Sequence, residues 1–257
     1  MCFELDSTPP IPQIRGAGVA HEELVLEAPD GNRLAVFATI PDGRSEAGVV
    51  ILPDVRGLYR FYEELALRFG ERGIAAVAID YFGRTAGVAR RDDDFDYMPH
   101  VEQTTPEGVQ ADVRAGVEHL RSLGVRSVFT VGFCFGGRQS WLSAAGGHGL
   151  AGAVGFYGRP GRGRDGTPGP SDLAGRLASP ILALQAGADQ SITAEDNAAF
   201  GAALQAAGVD HELVTYDDAP HSFFDRKQED FAAASDDAWR RVLAFIEQHR
   251  ASDVVTS

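Results

Sequence analysis

Cys134 stands in Val131-Gly132-Phe133-Cys134-Phe135-Gly136-Gly137, after the apolar run Ser127-Val128-Phe129-Thr130 and before a run of small residues. The order predicts a strand, a sharp turn and a helix, in the pattern G-x-S-x-G with sulfur replacing oxygen. A Cβ at Gly132 or Gly136 would collide with the strained backbone of such a turn. At the first turn of a helix, unpaired N–H groups and the positive end of the macrodipole favour a thiolate, lowering the pKa of about 8.5 of a free cysteine. The N–H of Phe135, one residue on, would hold an oxyanion. The competing reading of this stretch alone is a small buried cysteine in a glycine-rich turn.

A nucleophile on this kind of turn needs a base, and the chain order is then nucleophile, acid, histidine, each on a loop after a strand. Asp189 follows the apolar run Ile181-Leu182-Ala183-Leu184-Gln185 and the turn Ala186-Gly187-Ala188. His221 follows Leu213-Val214-Thr215-Tyr216 and the turn 217–220. Alone, Asp189 could make a turn and His221 could sit on a surface loop. Taken with Cys134, in this order and at strand ends, they predict a Cys134–His221–Asp189 triad. No pair of the other histidines has metal-ligand spacing, so neither a metal nor a cofactor is expected.

The elements that must position these residues follow an α/β pattern. Leu24-Val25-Leu26 and Leu34-Ala35-Val36-Phe37-Ala38, around Pro29-Asp30-Gly31-Asn32, predict an antiparallel hairpin. The continuous apolar run Gly48-Val49-Val50-Ile51-Leu52 suits a strand buried on both faces of a parallel sheet. Helices are predicted over about 60–72, 106–123, 193–207 and 229–249, with strands at 74–79, 151–157, 180–185 and 211–216. Thr105 before Pro106, and Thr193 before Glu195-Asp196, are helix-start signals. The reading is a single α/β domain over 23–250, with an N-terminal arm over 1–22 and a tail over 251–257. Two irregular stretches, 83–105 and 158–171, follow strand ends and are expected to wall the site.

At 257 residues, 44% hydrophobic and 23% charged, the chain has the composition of a soluble globular protein. A formal net charge of −14 argues against nucleic acid and against an anionic membrane surface as partners. The two cysteines, Cys2 and Cys134, suggest no disulfide framework and suit a reducing compartment. No apolar run approaches the ~20 residues of a membrane span and no signal peptide is visible, so a cytoplasmic protein is expected. It is read as a monomer or small homo-oligomer acting on a small molecule.

The elbow Gly132-Phe133-Cys134-Phe135-Gly136-Gly137, the acid in Ala186-Gly187-Ala188-Asp189, and Ala219-Pro220-His221-Ser222-Phe223 together resemble the dienelactone hydrolase family of α/β-hydrolases. The likeness covers about residues 23–248. It implies the α/β-hydrolase fold and cleavage of a lactone or ester through a thioester acyl-enzyme, in the breakdown of aromatic compounds. His221 would act as base and then acid, with Asp189 fixing its tautomer. The resemblance also implies that Val55 donates the second oxyanion-hole N–H, and that Asp54 stands where a glutamate gates the thiol. Aspartate is one methylene shorter. Arg84 matches the arginine that pairs with the substrate carboxylate in the family, whose second arginine is out of register: Asp225 stands there and Arg226 follows it. Beyond Arg90-Arg91 and Asp92-Asp93-Asp94, read as a solvated turn, Phe95, Tyr97 and Met98 could roof an acyl group. Arg159, Arg162 and Arg164 could receive an anion.

Two other readings remain at this stage. One is a broader carboxylesterase without carboxylate recognition, which the shortened Asp54 and the missing second arginine favour. The other is a non-hydrolytic ligand-binding or redox-responsive protein using Cys134, against which an intact histidine and aspartate argue.

Overall fold

The computed structural model describes residue 4 and residues 6–91, 94–163 and 165–251; Cys2, Asp92, Asp93 and Arg164 lie outside them. Val19–Glu27 (β1) pairs antiparallel with Arg33–Pro41 (β2), and the Ala28 N–H donates to the Asn32 carbonyl across the turn at 2.8 Å. β1 begins inside the stretch expected to be an arm. It is a largely exposed edge strand, so it carries no apolar run to announce its start.

Strands and helices then alternate: Ala47–Leu52 (β3), Arg60–Gly70 (α1), Ala75–Ile79 (β4), two single turns at Gly83–Ala86 (α2) and Met98–Val101 (α3), and Pro106–Ser122 (α4). Ser127–Phe133 (β5), Phe135–Ser143 (α5), Gly152–Phe156 (β6) and Ile181–Ala186 (β7) follow. Ala194–Ala206 (α6), His211–Tyr216 (β8) and Ala232–His249 (α7) complete the chain. The two helix starts read from threonines hold: Thr105 Oγ1 accepts from Gly108 N at 3.1 Å, and Thr193 forms a reciprocal capping box with Asp196.

The sheet has eight strands in the order β1-β2-β4-β3-β5-β6-β7-β8, parallel from β4 to β8, with β2 antiparallel to both of its neighbours. β3 and β5 lie at its centre and are buried throughout. Because strand side chains alternate, Val49 and Ile51 enter the core beneath α1 and α7, while Val50 and Leu52 enter the core beneath α4. A third cluster seats Trp141 of α5 on Phe200 of α6 at a ring-centroid distance of 5.0 Å. Helices therefore cover both faces of the parallel part of a single α/β sheet, which leaves the ends of its central strands open to a ligand.

The N-terminal arm is tied to the body through Ile11, which is buried in the α1–α7 core. Arg226 N donates to Thr8 O and Arg226 Nη2 to Ile11 O, each at 3.0 Å. Arg91 corrects an expectation. It is buried, not part of a solvated turn, and pairs with Asp80 at 2.7 Å while its guanidinium lies over the Phe95 ring. Among the described residues, no helix is long and apolar enough to cross a membrane.

Candidate active site

β5 runs into α5 with one residue between them. That residue, Cys134, has φ 55° and ψ −112°, a conformation that non-glycine residues seldom adopt. The turn is so tight that a Cβ on Gly132 would stand 1.9 Å from the Gly136 carbonyl oxygen, and one on Gly137 would stand 2.6 Å from Phe156 O. Cys134 N donates to Phe156 O at 3.0 Å, which fastens the elbow to β6. The cysteine is therefore held at the carboxyl edge of the central strand, at the mouth of the N-terminal turn of α5.

Asp189 and His221 arrive on the loops after β7 and β8. Gly187 N donates to Tyr216 O at 2.8 Å and Ala188 N to Ala219 O at 3.0 Å, so the two loops are bound to each other by main chain. The His221 Nδ1–H donates to Asp189 Oδ2 at 2.6 Å, and the Asp189 side chain is almost wholly buried. Burial raises the Asp189 pKa, but the hydrogen bonds from His221 and from the Ser191 and Ile192 N–H groups outweigh it and hold the carboxyl below its usual value. An ionised aspartate on Nδ1 leaves Nε2 of His221 to accept a proton. The Tyr157 ring packs on the imidazole with centroids 4.9 Å apart.

Cys134, Phe135 and Tyr157 line a cleft of about 730 Å³ together with Val55 of the segment after β3. Val55 and Phe135 are the two residues expected to donate oxyanion-hole N–H groups, and neither N–H donates to another described residue. The two irregular stretches do wall this cleft: Val101, Glu102 and Thr104 on one side, Arg159, Asp165 and Thr167 on the other. His221 adjoins it through Tyr157.

Asp54 lies fully buried beside Val55. Its carboxylate accepts from Arg56 N (2.9 Å), Nε (3.2 Å) and Nη2 (2.8 Å) and from the Tyr59 hydroxyl (3.2 Å). The Asp54 N–H donates to the Tyr62 hydroxyl at 2.9 Å, so the Asp54–Val55 segment is braced through both the side chain and the main chain of Asp54.

The residues expected to bind substrate are elsewhere. Arg84 lines a small crevice away from Cys134, with Nη1 2.6 Å from Asp112 Oδ2 and Nη2 2.5 Å from Asp30 Oδ2. Tyr97 caps the single turn α3 and packs on the α4 side of the sheet. Phe95 stacks on His100 with centroids 5.1 Å apart, and Met98 is exposed. Arg226 holds the N-terminal arm. Of the arginines read as anion receivers, Arg159 reaches the cleft but donates to Ser191 O at 2.9 Å, and Arg162 pairs with Asp172 at 3.0 Å.

Among the cleft residues that sequence reasoning passed over are Arg138, Gln139 and Tyr157. Arg138 lies four residues after Cys134, one helical turn on, and that spacing could have pointed to it. Its guanidinium donates to the carbonyls of Arg159 (3.1 Å), Gly161 and Pro168 (3.0 Å), gathering the loop after β6 onto α5.

Among the described residues, no group of His, Cys, Asp and Glu is arranged to hold a metal ion. Compared with known proteins, residues 34–250 match the dienelactone hydrolase family. A "putative carboxymethylenebutenolidase" of Escherichia coli is 28% identical over 251 residues, covering 88% of this chain and 91% of that protein. A carboxymethylenebutenolidase of Rhodococcus opacus is also 28% identical, over 269 residues and 97% of each chain. The crystal structure of a "putative dienelactone hydrolase" from Klebsiella pneumoniae superposes with a TM-score of 0.77 at 25% identity, over 90% of this chain and 99% of that one.

Proposed function

The chain belongs to the dienelactone hydrolase family, and from that premise we propose that it is a carboxylic ester hydrolase that opens a small lactone or ester with Cys134 as nucleophile. His221 takes the thiol proton as Cys134 attacks the acyl carbon. The resulting oxyanion is received by the N–H groups of Val55 and Phe135. Collapse of the tetrahedral intermediate expels the alkoxide, which takes the proton back from His221. Water, deprotonated by the same imidazole, then hydrolyses the thioester. The observation that carries this reading is the 2.6 Å contact between His221 Nδ1 and the buried Asp189, with the Tyr157 ring that packs on His221 lining one cleft with Cys134 on its strained strand-to-helix elbow. A thiol that served only as a redox sensor would need no such oriented imidazole.

Recognition of a substrate carboxylate receives less support. Arg84, the expected anchor, already has two carboxylate partners, and a guanidinium engaged in this way has no fork left to offer. The reading without carboxylate recognition, a hydrolase of uncharged esters and lactones, is the one we favour. Asp54, bound by Arg56 and Tyr59, fits a brace for the Val55 segment better than a gate on the thiol.

The test follows a carboxylate-bearing dienelactone and p-nitrophenyl acetate by absorbance, with Cys134→Ala beside the native protein. Turnover of the neutral ester, abolished in the variant, is expected. Preference for the dienelactone would return the function to a carboxylate-bearing substrate, and full activity of Cys134→Ala would overturn the triad.

A further inference from the structure

Gln139 follows Cys134 by five residues on α5 and lines the same cleft. It is 6% exposed, and its Oε1 is buried with no hydrogen-bond partner. Its backbone carbonyl is occupied, accepting from Ser143 Oγ at 2.8 Å, but its side-chain amide bonds to no described residue. A buried amide oxygen without a partner is costly relative to one that is satisfied, so its presence at a ligand site calls for a ligand group to complete it.

The charged side chains of the cleft do not take this role. Two arginines and two carboxylates line the walls, so their charges cancel: Arg138 and Arg159 against Glu102 and Asp165. Both arginines are turned into backbone carbonyls, and Asp165 accepts from Thr167 N at 3.1 Å and from Thr167 Oγ1 at 2.8 Å. Neither free cation nor buried anion dominates the space, and the Gln139 amide, whose buried Oε1 has no partner among the described residues, is uncharged.

We propose that the Gln139 side-chain amide determines specificity by binding a hydroxyl group carried on the acyl part of the substrate, close to the ester carbonyl. The inference rests on the hydrolase reading of this cleft and narrows it to hydroxylated, uncharged acyl groups. A hydroxyl both donates to Oε1 and accepts from Nε2, so it completes the amide in either orientation, which a carbonyl cannot do. Sites built around such a group reject the analogue that lacks it, because the amide is then left unpaired.

The experiment compares the p-nitroanilides of butyrate, 3-hydroxybutyrate and 4-hydroxybutyrate, bound calorimetrically to the native protein and to Gln139→Met. A thiol enzyme cleaves anilides poorly, so they report binding apart from turnover. One hydroxylated anilide is expected to bind about tenfold more tightly than the butyryl compound, and this preference is expected to fall within about twofold in Gln139→Met. The thermal midpoint of Gln139→Met is expected to equal or exceed that of the native protein, since the substitution keeps the volume and removes an unpaired polar group. Equal binding of all three anilides, a preference that survives in Gln139→Met, or a midpoint lowered by several degrees would overturn the inference. The p-nitrophenyl esters of butyrate and 3-hydroxybutyrate separate the two readings, the 4-hydroxy ester being left out because its hydroxyl closes a five-membered lactone and expels p-nitrophenol without the enzyme. Anilide preference without ester cleavage keeps Gln139 and removes the hydrolase, whereas ester cleavage without preference does the reverse.

Discussion

A Cβ on Gly136 would lie 2.0 Å from the carbonyl oxygen of Leu52, so α5 and the end of β3, which leads into Val55, meet backbone to backbone. Neither side of that contact is a flexible side chain, and neither can yield cheaply. Gly136→Ala is expected to lose at least about 3 kcal/mol of stability, read from the urea midpoint. Because the contact joins the two halves of the proposed oxyanion hole, any folded fraction should also lose esterase activity.

Asp189→Asn keeps the shape of the loop and removes the charge that fixes the His221 tautomer. By analogy with other triads, kcat should fall by about 10³–10⁴ with little change in KM, measured on p-nitrophenyl acetate. The depressed pKa of Asp189 also sets a sign. Its contribution to stability is present above the ordinary carboxylate pKa and is lost as pH falls through the lower folded value. Midpoints measured downward from pH 5 should therefore fall more steeply for the native protein than for Asp189→Asn.

Arg84→Ala is expected to affect carboxylate-bearing and neutral esters alike. Its main effect should be on stability, since Asp112 would remain buried without its cation. A loss of about 2–4 kcal/mol at pH 7 is expected, with an unchanged ratio of kcat/KM between the two substrate types. A selective loss on the carboxylate-bearing one would place Arg84 back among the recognition residues.

Asp112 itself is pushed up to about 6 by burial, against the pull of Arg84 and Asn32. A carboxyl raised by folding contributes stability that is complete below its unfolded pKa near 4 and is lost as pH rises through about 6. Asp112→Asn, which has no proton to release, should therefore gain on the native protein between pH 4 and 7. Thermal midpoints of the two proteins measured across that range check the sign.

Arg138→Lys tests whether the loop after β6 depends on a planar donor. A lysine has no fork to span carbonyls on both arms of that loop. The variant is expected to be cleaved by protease within 159–168 at concentrations that spare the native protein.

What the sequence disclosed and what it withheld divide along physical lines. Continuous apolar runs such as Val49–Leu52 announce buried strands because a central strand has no polar face, and the glycines about Cys134 announce the elbow because nothing larger fits. The meeting of Asp189 and His221 is readable because the fold fixes which loops share an edge. Arg84, Arg91 and Arg226 were not readable. Their partners, Asp112, Asp80 and the arm at Ile11, are brought to them by tertiary packing, and an arginine bound to the body has the same letter as one free in solution. Gln139 gave no signal, since only its burial and its lack of a partner distinguish it.

Cys134, Tyr157 and Ser222 are the three non-glycine residues with left-handed φ among those described, at 55°, 37° and 64°. One is the proposed nucleophile, one packs on His221 and one follows it. Each such conformation costs about 1–3 kcal/mol. A search for heat-resistant variants would therefore be drawn to Ser222→Gly, which relaxes the main chain beside the imidazole, whereas Tyr157→Gly would also empty a fully buried core position and lose more than the relaxed main chain returns. In this enzyme, hardening the scaffold and keeping its chemistry compete at the same few peptide units.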